Sequence, residues 1–486
     1  MDGEAFELRV LRVPGRPVQV LALPERREAG APPPRLVVVA VEGQPPSERR
    51  VLVLFRRDPT RPPRVVPVGE EVVAFDVAAG PDGAPRLLAL TADALLEIGS
   101  DGARRARPLA PPLPLPPRTR QLSRLAFARD WDGDGRLDAL LPEPGGARLL
   151  PGLDPAAARH LPLPAEADYE SPPPEDPVEP AFFAARLVWP SLARADDDGD
   201  GRPDLFATSR YALHVFRSGP DGLPARASRR VRLPALPFEE ERRPQSSRVR
   251  AWPRDVDGDG LADLVVHRAV GRALRAEATT TIHRNPGDGA RPDAPAQVTL
   301  DSPGGLGAVV LRDLDADGRP ELVQTFVPFG LMQLVRVLLR RSVEAELRVH
   351  RVRGPGIDGL EESFRIDLHY GLDLEAGLVR GVLPTVDGDF DGDGRADLLH
   401  ADGPDAVRVR LGEPGPDGPR FGDARAELAL PGARAALVAD LDGDGRDDVV
   451  AWNPLDREGR LWLARNRGGL GGADGDHGDA APRDPG

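Results

Sequence analysis

The 486-residue chain predicts an all-β fold: a single β-propeller of eight blades, with seven as the alternative. Three observations predict it. The nine-residue phrase D-x-D-G-D-G-x-x-D occurs six times, once with small changes. Each copy lies between two short apolar runs of strand type. The first acids stand at Asp130, Asp196, Asp255, Asp313, Asp389 and Asp440, in steps of 66, 59, 58, 76 and 51 residues. A period of that size, with several strands per unit, fits propeller blades rather than a helical solenoid.

In chain order, a spare strand comes first, at Phe6–Val13. Two units without the full set of acids follow. The first offers Val18–Leu23, Arg35–Val41, Arg50–Phe55 and Arg64–Val68; the second offers Val72–Val77 and Arg86–Leu90, with Asp76 at the first loop position. Pro108–Pro117 reads as a proline-rich linker, and Pro164–Pro180, acidic and proline-rich, as a solvated loop. Strands are expected at Asp204–Thr208, Ala212–Phe216 and Arg229–Leu233. Phe329–Arg341 reads as a short amphipathic helix before a strand at Val343–Val352, and Ala269–Ala276 as a similar insertion. Asp397–His400, Ala406–Leu411 and Ala424–Leu430 continue the pattern. The last unit has three strands, Ala435–Asp440, Asp448–Trp452 and Arg460–Ala464. The N-terminal strand supplies its fourth, which closes the ring and removes exposed sheet edges. Blades are expected near 14–70, 71–118, 119–185, 186–245, 246–303, 304–378, 379–431 and 432–467 with 5–13, all within one domain over 1–467. The Gly/Asp-rich stretch 468–486 reads as a disordered tail.

The repeated phrase has the chemistry of a calcium loop. Calcium takes about six to eight oxygen ligands. Carboxylates at positions 1, 3, 5 and 9 and the carbonyl at position 7 of a tight loop converge on one point. The expected ligands are Asp130, Asp132, Asp134, Arg136 and Asp138; Asp196, Asp198, Asp200, Arg202 and Asp204; and Asp255, Asp257, Asp259, Leu261 and Asp263. The remaining loops supply Asp313, Asp315, Asp317, Arg319 and Glu321; Asp389, Asp391, Asp393, Arg395 and Asp397; and Asp440, Asp442, Asp444, Arg446 and Asp448. Arg and Leu act here through their backbone carbonyls. An EF-hand is excluded, because it needs a bidentate Glu at position 12 and a helix on each side. Position 12 is Leu141, Ala207, Val266, Gln324, His400 and Ala451, and the flanks are strand-like. About six Ca²⁺ ions are expected, one per loop.

Composition narrows the function. Six calcium ions would bring the formal charge from −14 to about −2, so much of the acidity is site chemistry. No basic stripe argues for nucleic acid. No cysteine or lysine is present, which removes thiol and lysine nucleophiles. No apolar run approaches the ~20 residues of a membrane-spanning segment. Calcium loops of extracellular modules bind at about 10⁻⁴–10⁻³ M, far above cytosolic free calcium. The chain is therefore expected outside the cytoplasm, in the periplasm, on the cell surface or secreted. The acidic start Met1-Asp-Gly-Glu4 is not a signal peptide, so a leader is expected to have been removed.

The six loops between hydrophobic hairpin strands, as in Ala436–Val450, resemble FG-GAP/VCBS repeats, and the calcium hairpins of integrin α-chain propellers are similar. The resemblance covers roughly residues 6–466. It implies a calcium-binding propeller; the family spans adhesins, lectin-like modules, assembly scaffolds and a few enzymes. The leading expectation is a non-enzymatic module that binds a protein or glycan partner or serves in assembly. The alternative is a polysaccharide lyase, whose base would be a His, Tyr or Arg that no motif nominates. Each calcium is expected to staple a hairpin. The loop at Asp313, with Ala316 and Glu321, is the candidate for an incomplete shell. Trp131, Trp189 and Trp252 are expected to pack between blades, and the lone histidines to be structural.

Overall fold

The computed structural model describes residues 5–23, 35–43, 48–55, 61–79, 85–99, 103–115, 122–170, 184–209, 211–233, 247–272, 275–328, 330–354, 356–373 and 378–470. Within them the chain folds into the eight blades of a β-propeller, small sheets that are antiparallel except for Ser123–Arg124 alongside Ala74–Phe75 in blade 2, plus one separate two-stranded pair. Blade 1 comprises Arg16–Leu23, Arg35–Glu42, Arg49–Leu54 and Arg64–Val68, and blade 2 comprises Ala74–Ala79, Pro85–Leu90, Ala94–Ile98 and Arg104–Pro108. Blade 3 is Ala128–Arg129, Asp138–Glu143, Gly146–Leu150 and Arg159–Leu161; blade 4 is Ser191–Ala195, Asp204–Thr208, Ala212–Phe216 and Arg229–Arg232. Blade 5 is Ser247–Arg254, Asp263–Arg272, Arg275–His283 and Val298–Pro303. Blade 6 is Gly305–Arg312, Glu321–Pro328, Ser342–Arg353 and Gly359–Asp373, with Leu378–Arg380 added at its edge. Blade 7 is Thr385–Gly388, Asp397–Ala401, Ala406–Gly415 and Gly418–Ala429. Blade 8 joins Ala435–Ala439, Asp448–Trp452 and Arg460–Asn466 to the N-terminal strand Phe6–Arg12, in register from Phe6↔Asn466 to Arg12↔Arg460.

Every blade is buried on both faces, so its inner strands read as nearly continuous apolar runs. Successive side chains point to opposite faces. In blade 1, Val37 and Val39 therefore join a cluster shared with blade 2, while Leu36, Val38 and Ala40 join one shared with blade 8. The same division recurs around the molecule. Clusters link blades 2 and 3, 3 and 4, 4 and 5, 5 and 6, 6 and 7, and 7 and 8. The series of interfaces thus returns to its start. Phe6 of the first strand packs edge-on against Phe390 at 6.0 Å between ring centroids.

Five expectations need correction. Residues 269–276 are not helical: Asp263–Arg272 and Arg275–His283 form one long hairpin, paired from Leu264↔His283 to Arg272↔Arg275. The run Thr279–Thr281 opposite Val266–Arg268 suits a pleated surface, and that pairing overrides the local Ala/Arg helix preference. Part of the stretch expected as a solvated loop is paired: Glu166–Glu170 lies antiparallel to Ala184–Val188, and 171–183 fall outside the described residues. Asp76 is a strand residue opposite Leu88, not a loop residue. Its buried carboxylate accepts N–H bonds from Val77, Phe127 and Ala128 at 2.8–2.9 Å and so fastens blade 2 to the entry of blade 3. The start of the expected tail is packed, with Leu470 buried in the cluster of blades 7 and 8; 471–486 fall outside the described residues. The expected linker also packs: Leu109 and Leu113 are buried against blades 2 and 3. The helix is present at Leu331–Arg340.

Candidate metal loops

Each acidic phrase joins the first and second strands of a blade, in blades 3 to 8. Counting from its first Asp, position 1 organises the turn. Asp130 Oδ1 accepts from Gly133 N–H at 2.7 Å and Oδ2 from Gly135 N–H at 3.1 Å. The same pair of bonds recurs at Asp196, Asp255, Asp389 and Asp440. This wrap needs left-handed backbone at positions 4 and 6, where Gly133 and Gly135 have φ of 82° and 84°. In the loop at Asp313, position 4 is Ala316, forced to φ 61°. Asp313 there keeps only the bond from Gly318, at 3.0 Å, and its Oδ1 is buried without a partner.

Position 9 bolts the loop to its blade. One oxygen accepts from the position-2 N–H: Trp131 to Asp138 at 2.8 Å, Asp197 to Asp204 at 2.9 Å, Val256 to Asp263 at 3.1 Å, Leu314 to Glu321 at 2.9 Å, Phe390 to Asp397 at 2.5 Å and Leu441 to Asp448 at 3.2 Å. In five loops the other oxygen accepts an N–H from the end of the third strand, given by Gly152, Ser218, Asn285, Gly412 and Asn466 at 2.7–2.8 Å. All six acids are buried. Burial pushes their carboxyls up, to about 6 for Asp138 and Asp204 and to about 7 for Asp263, Glu321, Asp397 and Asp448. Their N–H bonds offset only part of that.

Position 3 faces the same pocket. Asp132, Asp315, Asp391 and Asp442 are raised first by burial and then by neighbouring carboxylates. Carboxylates crowded in this way call for a cation. Acidic oxygens from positions 1, 3 and 9 lie within 4.8 Å of one another at Asp130/Asp132/Asp138, Asp196/Asp198/Asp204, Asp313/Asp315/Glu321 and Asp389/Asp391/Asp397. At Asp255 the group is Asp255, Asp257 and Asp259. These clusters can hold metal ions, and a donor set of oxygens alone is compatible with calcium. Position 5 is turned partly outward: Asp134, Asp200, Asp393 and Asp444 each pair with the position-7 arginine of their own loop. The position-7 N–H caps the position-5 carboxylate at 2.8–2.9 Å in all six loops.

Residues 255–323 and 389–451 match the FG-GAP-like repeat family. The chain carries FG-GAP-like repeats. The matched segments hold the loops at Asp255, Asp313, Asp389 and Asp440; those at Asp130 and Asp196 lie outside them and share the same hydrogen-bond pattern. No curated protein matches the chain. Two solved structures are similar: BBS1N in complex with ARL6DN, soaked with lead, at 10% identity over 70% of this chain and 93% of that one, TM-score 0.25; and TcdB2-TccC3-TEV, at 15% identity over 89% of this chain and 17% of that one, TM-score 0.23. At these scores neither likeness bears on fold or function.

The acidic loops, inside and outside the matched repeats, also hold one another. Position-8 N–H groups reach back to the preceding loop: Ala262 to the Asp196 carbonyl at 2.7 Å, Ala396 to that of Leu314 at 3.0 Å and Asp447 to that of Asp389 at 2.8 Å. Position-2 side chains plug the interface with the next blade. Trp131 sits in the cluster with Leu205 and Phe216, its indole N–H donating to the Phe127 carbonyl at 2.8 Å, and Leu314, Phe390 and Leu441 take equivalent places. Asp197 is the departure: it is buried against Arg217 at 2.8 Å and Arg229 at 2.5 Å.

Two asparagines escaped the sequence reading. Asn285 Nδ2 donates to the carbonyls of Asp197 at 2.9 Å and Ala262 at 3.3 Å; Asn466 Nδ2 donates to those of Phe390 at 2.6 Å and Asp447 at 3.2 Å. Each ties its own loop to the loop of the preceding blade. The signal was present as Asn-x-Gly after the third strand, at 285–287 and 466–468. Trp189 and Trp252 pack partly buried against the clusters of blades 3/4 and 5/6. His267 bridges Thr280 at 2.9 Å and the Gly307 carbonyl at 3.0 Å, and burial lowers its pKa.

Proposed function

We propose that this chain is a non-enzymatic, calcium-stabilised propeller that acts outside the cytoplasm as a binding or assembly module for a protein or glycan partner. One observation carries the calcium half: Asp198 Oδ1, Asp313 Oδ1 and Asp442 Oδ1 are buried carboxylate oxygens with no hydrogen-bond donor. Asp198 and Asp313 stand inside the acidic clusters described above. A buried, unpartnered carboxylate oxygen is costly, and a cation supplies the missing partner. The proposed ligands are positions 1, 3, 5 and 9 with the position-7 carbonyl. A closed all-protein cage leaves no open position for chemistry, which makes each ion a staple between strands and supports a non-enzymatic role. Among the described residues no helix is long and apolar enough to cross a membrane, which leaves β-barrels aside.

The test is metal content by mass spectrometry on the purified chain, with thermal unfolding in calcium and in chelator. About six calcium ions per chain and a large fall in melting temperature on chelation are expected. Metal-poor protein with no shift on adding calcium would refute the calcium half. Release of unsaturated, ultraviolet-absorbing products from acidic polysaccharides would refute the non-enzymatic half.

A further inference from the structure

The helix Leu331–Arg340 is inserted between the second and third strands of blade 6, and its amphipathicity is inverted. Its polar residues hold it to the body. Gln333 is buried, with Nε2 donating to the Glu344 carbonyl at 2.9 Å, and Arg336 pairs with Glu344 at 2.7 Å. Five of its apolar residues face solvent: Leu331, Met332, Val335, Leu338 and Leu339 are exposed, Leu339 by 80%. Their spacing places them on one stripe of a helix. The segment 330–341 carries three arginines and no acid.

A cationic groove adjoins the C-terminal end of the helix. It has a volume of about 510 Å³ and is lined by Arg340, Arg341, His369, Arg380 and one acid, Asp373, among others. Arg340 and Arg341 are exposed and form no ion pair with another described residue. The acids nearby are taken up by other cations: Glu344 lies 2.7 Å from Arg336 and 3.8 Å from His369, Asp405 lies 3.9 Å from Arg380, and Asp373 lies 3.3 Å from Arg434. Val379, next to Arg380, is also exposed.

We propose that this face docks onto an anionic lipid bilayer, with the apolar stripe lying in the interface and Arg340 and Arg341 on headgroup phosphates. A short helix with an apolar stripe and flanking arginines is the physical signature of a helix that lies in the membrane plane. The arginines of the segment, with no acid among residues 330–341 to neutralise them, complement the anionic headgroups of such a bilayer. Glu321–Pro328 runs from the acidic loop at one end to the helix at the other. The helix is therefore on the face opposite the loops, and the proposal does not depend on calcium chemistry.

The experiment is flotation of the folded chain, in calcium, with vesicles of phosphatidylcholine alone or with about 30% phosphatidylglycerol. Binding to the anionic vesicles and not to the neutral ones is expected. L338E/L339E should bind at least about tenfold more weakly, and R340Q/R341Q about thirtyfold more weakly, because each basic residue near an anionic surface matters. These residues are exposed, so the variants should keep the wild-type melting temperature. Failure of the wild type to float, or variants that float as well as it does, would overturn the proposal. So would a wild-type dimer that L338E/L339E converts to monomer without any vesicle binding.

Discussion

Asn466→Ala tests whether the blades are held by the polar clamps between their loops. Asn466 is buried; its Nδ2 donates to the Phe390 carbonyl at 2.6 Å and the Asp447 carbonyl at 3.2 Å, and its Oδ1 accepts from Gly468 N–H at 3.0 Å. Alanine keeps the backbone N–H that serves Asp448 at 2.8 Å. It leaves the short bond to Phe390 unmade in a buried interface. One stranded buried carbonyl costs about 1–3 kcal/mol, and the weaker bonds add about 1 kcal/mol. The expected loss is therefore about 2–4 kcal/mol. Asn285→Ala, whose bonds to the Asp197 and Ala262 carbonyls are 2.9 and 3.3 Å, should lose about 1–3 kcal/mol. The assay is urea unfolding in saturating calcium. Asn453→Ala serves as control, since that side chain accepts a bond from Leu455 N–H at an exposed turn and should cost under about 0.5 kcal/mol. A loss for Asn466→Ala no larger than the control's would refute the clamp.

Ala316→Gly should stabilise the chain by about 1 kcal/mol in urea, because it relieves left-handed backbone at φ 61°. Asp197→Ala should destabilise by about 3 kcal/mol, since it strands Arg217 and Arg229 beside a buried site, and the same unfolding series reads it. Calcium at about 1 mM should add about 1.4 kcal/mol per loop for a Kd of about 10⁻⁴ M, and Asp440→Ala should remove one such share. The metal-stripped chain should lose stability as pH rises. Its position-9 carboxyls, raised to about 6 or about 7, hold protons that the unfolded chain has released above about 4. Urea midpoints should therefore fall between about pH 5 and about pH 8 without calcium, and a rise would contradict the burial argument.

Much of this architecture was legible because each acidic phrase fixes a turn and each turn fixes two strands. Asp440 and Asp448 bracket a loop in which most members are tied by local hydrogen bonds, so nine residues suffice to read it. The pairing of Phe6–Arg12 with the last blade was legible for a different reason: a three-stranded unit at one end and a spare strand at the other leave one economical solution. What escaped depends on partners distant in sequence. The residues around Ala269 read locally as helix and became strand through pairing across to Thr279 and Thr280. Asp76 resembles a loop acid in isolation, yet its partners are Phe127 and Ala128. The helix at Leu331–Arg340 was foreseeable from its period, but not the side it would bury, which Gln333 and Arg336 decide through Glu344.

The strand Phe6–Arg12 is synthesised long before Arg460–Asn466, its strand partner among the described residues. Through most of synthesis the opening segment has an unmatched edge, and Phe6 has no Phe390 to rest on. Completion of blade 8 thus requires that every other blade of the propeller has already been made. A nascent chain stopped before residue 460 would retain seven finished sheets and one frayed seam, open to proteases at both margins. The last blade to form is thus the one joint whose two halves are separated by the full length of the propeller's sequence.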